Sequence, residues 1–152
     1  KWCTDPFALP LLLKQVKNKV MKIKNQVCTL EQAKKLKELG VTAEPLFWHV
    51  IDIDPITPKD IIQKWQHSNF DSCEKYPAFT VAELGDMLPT ETLTIRRGSE
   101  NSEYANWEWE DESEGKAWGV FATEAEARAD HLIMRLENAL ITPSEVNQRL
   151  NN

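Results

Sequence analysis

Three stretches of the chain place apolar residues at helical spacing, and a threonine precedes each of them. They cover residues 30–39, 81–88 and 124–140. A Glu or Gln stands three residues after each threonine, which is the spacing of a capping box. The pairs are Thr29 with Gln32, Thr80 with Glu83, and Thr123 with Glu126. The pattern predicts three amphipathic helices, of which the third is the longest.

Between the first two helices lies a run that has the composition of a β-strand. Residues 46–54 are rich in aromatic and β-branched side chains and stand between two prolines. Both alternating sets in the run are apolar, which is typical of a central strand. Thr57 and Pro58 then resemble a helix start, so we predict a helix that runs to about Gln66 and a loop over residues 67–76.

Three further strand-like segments follow the second helix, at residues 93–97, 104–110 and 117–122. The turns between them are polar and too short for parallel crossovers, so the segments predict an antiparallel meander. Thr142 and Pro143 begin a last helical turn or two. The predicted fold class is α+β, with a small, mostly antiparallel sheet of about four strands packed against helices and a long C-terminal helix.

Charge divides the 152 residues into two parts. Residues 1–26 carry six lysines and one acid, whereas residues 27–152 carry twelve bases and 23 acids. Met21 opens a stretch that reads as a translation start, so we treat residues 1–26 as a basic arm, either non-native or disordered. Residues 27–152 form the predicted single domain. Because this acidic body repels phosphate, duplex nucleic acid is an unlikely partner.

Cysteine usage and hydropathy indicate the compartment. The three cysteines are far apart and form no CxxC pair, which favours a reducing cytoplasm over a secreted disulfide scaffold. No stretch of about 18 apolar residues exists that could span a membrane. We therefore expect a cytoplasmic protein without a membrane segment.

Two carboxylates are the best candidates for metal chemistry. Asp52 and Asp54 alternate at a strand end and so share a face, where they could hold Mg²⁺ or Mn²⁺ in a phosphodiester hydrolase. The alternative, which is the commoner origin of such a pair, is a solvent-facing strand end. No phosphate-binding glycine loop and no clustered zinc ligands occur, so we expect no cofactor.

Tryptophan is frequent, with six residues in the chain. Trp107, Trp109 and Trp118 fall on neighbouring predicted strands. If they are exposed, they could bind a sugar, unstacked bases or a protein. If they are buried, they join the sheet to the long helix, where Ala125 and Ala129 leave room for large rings. We favour burial.

The segment around these tryptophans is strongly acidic. Residues 100–114 contain seven carboxylates and no base, a pattern that either binds a basic protein by mimicking nucleic acid or is simply a solvated hairpin. The predicted partner-binding residues are Trp107, Glu108, Trp109, Glu110, Asp111 and Glu112.

Three segments resemble small uncharacterised proteins of bacterial prophages and mobile elements. They are Cys28–Val41, Pro77–Pro89 and Thr123–Ile141, and the similarity covers about residues 27–142. The resemblance implies a cytoplasmic protein of phage or mobile-element origin and brings no catalytic residues with it. The leading hypothesis is a non-enzymatic module that binds a host or phage protein, and homodimerisation through an uncovered sheet face is compatible with it.

Overall fold

A computed structural model describes residues 22–52, 59–64, 73–90, 92–97, 106–111, 116–117 and 119–151. Helices and strands both occur there, so the fold class is α+β as predicted. The helices are α1 (Leu30–Glu38), α2 (Val81–Met87), α3 (Glu124–Glu137) and α4 (Pro143–Leu150). The strands are β1 (Phe47–Asp52), β2 (Lys59–Lys64), β3 (Glu74–Pro77), β4 (Thr92–Arg97), β5 (Asn106–Asp111) and β6 (Lys116–Ala117).

The helices begin where the threonines stand, because each threonine satisfies backbone N–H groups that the first turn leaves without partners. Complete capping boxes start α1 at Thr29, α2 at Thr80 and α4 at Thr142. At α3 only half of the predicted box forms. Thr123 Oγ1 accepts from the backbone of Glu126, but the Glu126 carboxylate accepts from Ala122 instead.

The described strands form two three-stranded antiparallel sheets, in place of the single sheet of about four strands that we predicted. The first sheet has the order β2-β1-β3 and the second β4-β5-β6. β1 is central, as its two apolar faces indicated, and β4-β5-β6 has the order of the predicted meander. Its third strand is shorter than the predicted residues 117–122, because β6 covers Lys116–Ala117 and Phe121 forms only an isolated bridge with Trp107. The described residues therefore contain two small sheets, and both contact the helices.

Two segment predictions were wrong. Residues 59–64 form strand β2 rather than a helix, and they pair with β1 over six residues from Phe47↔Lys64 to Asp52↔Lys59. The adjacent β-branched residues Ile61 and Ile62 suit a strand, and pairing with β1 outweighs the local helix signal. The capping residues Thr57 and Pro58 lie outside the described residues. Part of the predicted loop is strand β3, which forms the other edge of this sheet.

The core lies among the helices and the segments that connect them, and Tyr76 of β3 packs against it. Its fully buried members include Leu36, Phe79, Leu84, Leu132 and Val146, which come from α1, α2, α3, α4 and the segment before α2. The long helix α3 ends at Glu137, short of the predicted Leu140. The last element is the eight-residue α4, so the long helix is the penultimate element and not the C-terminal one.

Candidate functional site

Strand β5 holds five of the six predicted contact residues, and its alternation separates them onto two faces of the second sheet. Successive side chains of a strand point to opposite sides. Trp109 is buried, whereas Glu108 is half-buried and lies on the other face. In the ladder Trp109 pairs with Thr94, and Glu108 pairs with Ile95. One face of β5 is therefore fixed in the interior while the other carries an acid.

Trp109 is the contact that attaches the second sheet to α3. Its side chain is 1% exposed. Its rings stack on the imidazole of His131, with centroids 4.2 Å apart and planes inclined by 8°. Its indole N–H donates to Asp130 Oδ2 over 3.1 Å. Burial among helix residues confirms the favoured prediction for this tryptophan, and it excludes Trp109 from direct contact with a partner or a sugar.

The carboxylate that receives the indole N–H is itself partly withdrawn from water. Burial raises the pKa of Asp130 above its ordinary value, because the charged form loses hydration. The hydrogen bond from Trp109 and the neighbouring His131 act in the opposite direction, and Glu137 raises the pKa further. The ionised form of the Asp130 carboxylate is therefore less stable in the folded protein than it would be in water.

The structure describes the other predicted contact residues only in part. Trp107 is half-buried, and its backbone exchanges two 2.9 Å hydrogen bonds with Phe121. The backbones of Glu110 and Asp111 pair with Ala117 and Lys116 of β6. Glu112 and Trp118 lie outside the described residues. The structure therefore assigns the outward position on β5 to Glu108 alone among the side chains that it describes.

The predicted metal pair is not brought together in the described part of the chain. Asp52 ends β1, where its backbone pairs with Lys59, and Asp54 lies outside the described residues. Within the described ranges, no three His, Cys, Asp or Glu residues form a group that could hold a metal ion. The hydrolase alternative gains no support from the described residues.

A buried histidine of β1 has partners on both ring nitrogens. His49 is 2% exposed. Its Nδ1 lies 3.0 and 3.1 Å from the two carboxylate oxygens of Asp60, and its Nε2 lies 2.9 Å from the carbonyl oxygen of Cys28. The imidazole therefore joins β1, β2 and the segment before α1, and its burial leaves it closed to a substrate.

Glu83 is a second buried ionisable group, and its carboxylate accepts a hydrogen bond in addition to those of the helix cap. It is 7% exposed. One carboxylate oxygen accepts from the backbone and the hydroxyl of Thr80, both at 2.7 Å. The other accepts from the backbone of Leu46 over 2.8 Å. The sequence predicted the cap but not the bond to Leu46, which fixes the start of β1 against α2.

No protein-family profile, no curated protein and no solved structure matches this chain. Among the described residues, no helix has the length and apolar character needed to cross a membrane.

Proposed function

We propose that the protein is a non-enzymatic interaction module that binds a basic host or phage protein through the acidic face. The acidic face is the side of the second sheet that carries Glu108, opposite the side that packs on α3. The observation that supports the proposal is the alternation on β5, in which buried Trp109 holds the sheet on α3 and Glu108 lies on the other side. A sheet held in this way presents Glu108 in a fixed orientation.

The distribution of charge supports a basic partner. Residues 78–152 contain fifteen acidic and six basic residues, and six of the acids fall between residues 103 and 114. Such a field speeds the approach of a positively charged protein and repels nucleic acid. Because Trp109 is buried and Trp107 shares its side of β5, recognition depends on the carboxylate side chains of the acidic face.

The cellular setting is a further part of this proposal. The resemblance of three helical segments to prophage and mobile-element proteins supports a cytoplasmic protein of phage or mobile-element origin. The partner is then a protein of the host or of the element itself. Homodimerisation stays compatible with this function.

The test is a capture experiment with the full chain and two charge variants. The protein, Glu108→Lys and the control Glu44→Lys are immobilised and exposed to bacterial lysate at low salt, and bound proteins are eluted with high salt. Glu44 is exposed on the loop before β1, so the control makes the same charge change on another surface. The captured protein is then purified and titrated by calorimetry at two salt concentrations.

The expected partner is a basic protein that salt releases, since attraction between exposed charges is screened by ions. It binds the Glu44→Lys variant but not the Glu108→Lys variant. Equal binding to both variants, or binding that does not change with salt, would overturn the acidic face as the contact.

A further inference from the structure

Three lysines of the first half of the molecule are held against aromatic rings. Lys34 and Lys37 of α1 place their ammonium groups 5.1 and 4.9 Å from the centre of the Tyr76 ring. Lys75 of β3 places its ammonium group 5.3 Å from the centre of the Trp48 ring on β1. We call these five residues the lysine–aromatic surface. It brings together three positive charges from a helix and a sheet edge.

The arrangement follows from how α1 packs on β3. Tyr76 lies at the margin of the core and packs against it, which leaves the ring as a platform for the lysines of α1. Lys37 Nζ also donates to the carbonyl oxygen of Lys75 over 3.5 Å, so the helix and the strand meet at this point. Lys35 is directed elsewhere and pairs with Glu137 of α3 at 2.8 Å.

Contact with the rings restricts the lysine side chains before any partner binds. An ammonium group over an aromatic face is attracted by the ring while it keeps much of its hydration. Lysine is usually costly to immobilise in an interface, because its long side chain loses rotamer freedom. The restricted groups of Lys34, Lys37 and Lys75 have already lost part of that freedom, so binding an anion costs them less.

We propose that the lysine–aromatic surface binds an acidic segment of a partner protein. Carboxylates complement three separate ammonium groups, which act as point charges. Nucleic acid fits less well, because bases need open ring faces for stacking and the Tyr76 and Trp48 rings are already in contact with lysines. A long polyanion would also meet the excess of acids in residues 78–152.

This surface is separate from the acidic face and takes a partner of the opposite charge. Its positive charge is local, since residues 27–77 hold six lysines and eight acids, and three of those lysines are Lys34, Lys37 and Lys75. The protein would then contact a basic protein through the acidic face and an acidic one through the lysine–aromatic surface.

The test uses the full chain and a short fluorescent polyglutamate peptide, with binding measured by anisotropy. The variant Lys34→Gln/Lys37→Gln/Lys75→Gln removes the three charges. Its matched control removes three other exposed lysines of the described residues, in the variant Lys22→Gln/Lys24→Gln/Lys64→Gln. Circular dichroism verifies that both fold. An oligothymidylate of equal charge is titrated in parallel, and sedimentation at two salt concentrations reports self-association.

We expect the first variant to bind the peptide more than roughly tenfold more weakly and the control to change by less than about twofold, since only close charge pairs contribute strongly. If the first variant does not fold, carbodiimide crosslinking of the peptide to the unmodified protein gives the answer, with Lys34, Lys37 and Lys75 as the expected targets. Equal loss in both variants, crosslinks at other lysines or no binding would overturn the proposal. Tighter binding of oligothymidylate than of the peptide would show that the partner of this surface is nucleic acid and not an acidic protein. Salt-sensitive oligomers that disappear in the first variant would show that the partner is a second copy of the chain.

Discussion

The carboxylate of Asp60 meets the imidazole of His49 across two neighbouring strands. Both carboxylate oxygens lie within 3.1 Å of Nδ1, while Nε2 meets the carbonyl oxygen of Cys28. The imidazole therefore connects β2 to the segment before α1 through its two ring nitrogens. A hydrogen bond to a carboxylate is stronger than one between two neutral groups.

Removing the carboxylate should weaken the first sheet. We expect Asp60→Ala to lower the free energy of unfolding by about 1–3 kcal/mol, because a hydrogen bond to a charged group is lost and the buried ring is left without its partner. Urea denaturation gives the value. Glu44→Ala, at an exposed position, is the control. A loss no larger than that of the control would mean that the His49–Asp60 pair does not stabilise the fold.

Sequence predicted the elements whose signals are local. The threonine caps located α1, α2 and α3, and the apolar run located β1, because those patterns lie within a few residues of each other. The His49–Asp60 pair could not be found in this way. The two residues share a face only because β2 runs beside β1, with His49 opposite Ile62 and Asp60 two residues away. The helix that the local signal predicts for residues 59–64 would not place Asp60 beside His49.

The burial of Trp109 could be predicted because alternation on β5 and the small residues of α3 agree. Its exact partners could not, since the stack on His131 and the bond to Asp130 depend on how the sheet is placed on the helix. The same limit applies to the lysine–aromatic surface. Its lysines are visible in the sequence as a charged helix face, but Tyr76 and Trp48 join them only in the folded chain.

Two substitutions of Trp109 should distinguish how much its hydrogen bond to Asp130 and its stack on His131 each stabilise the fold. Trp109→Phe keeps an aromatic ring beside His131 but loses the indole N–H, and Trp109→Ala loses both. We expect a loss of about 3–5 kcal/mol for alanine, the usual range for large aromatic residues in a core, and a smaller loss for phenylalanine. Thermal and urea unfolding give both values. Equal losses for the two variants would show that a phenylalanine ring beside His131 provides no stabilisation.

The raised pKa of Asp130 predicts a pH dependence with a definite sign. The folded protein binds this proton more tightly than the unfolded chain does, so the stabilisation is complete below the ordinary aspartate pKa of 3.8 and is lost as the pH rises through the raised value. Asp130→Asn keeps an oxygen for the indole N–H but does not titrate. Its stability relative to the unmodified protein should therefore increase with pH.

Urea midpoints for the unmodified protein and Asp130→Asn, measured between about pH 4 and pH 7, test this prediction. Asp86→Asn is a suitable control, because Asp86 is an exposed carboxylate on α2. If the difference between the unmodified protein and Asp130→Asn stays constant across this range, burial does not raise the pKa of Asp130.

The two cysteines in the described part of the chain should differ in reactivity. Cys28 is 1% exposed, and burial raises the pKa of its thiol to about 12. Because the thiolate is the nucleophile, Cys28 should resist iodoacetamide in the native protein and react only after unfolding. Cys73 is partly exposed and should react in the native state. Peptide mass mapping reads each site separately, and native labelling of Cys28 at the rate of Cys73 would contradict the burial.

Glu83 and Glu145 occupy the same position in two capping boxes, which makes them a matched pair for testing the bond to Leu46. The Glu83 carboxylate accepts from three donors, two on Thr80 and one on Leu46, whereas Glu145 accepts from two donors on Thr142 at an exposed helix start. A glutamine has one accepting oxygen, and its amide group would face a donor.

We expect Glu83→Gln to lower the free energy of unfolding by about 1–3 kcal/mol, because a buried carboxylate loses hydrogen bonds that it accepts, and Glu145→Gln to have a smaller effect. Urea denaturation gives the two values. Hydrogen exchange then distinguishes the causes, because the Leu46 amide should lose protection in Glu83→Gln and keep it in Glu145→Gln. If the Leu46 amide stays protected in Glu83→Gln, the carboxylate does not hold the start of β1, and the loss comes from the α2 cap alone.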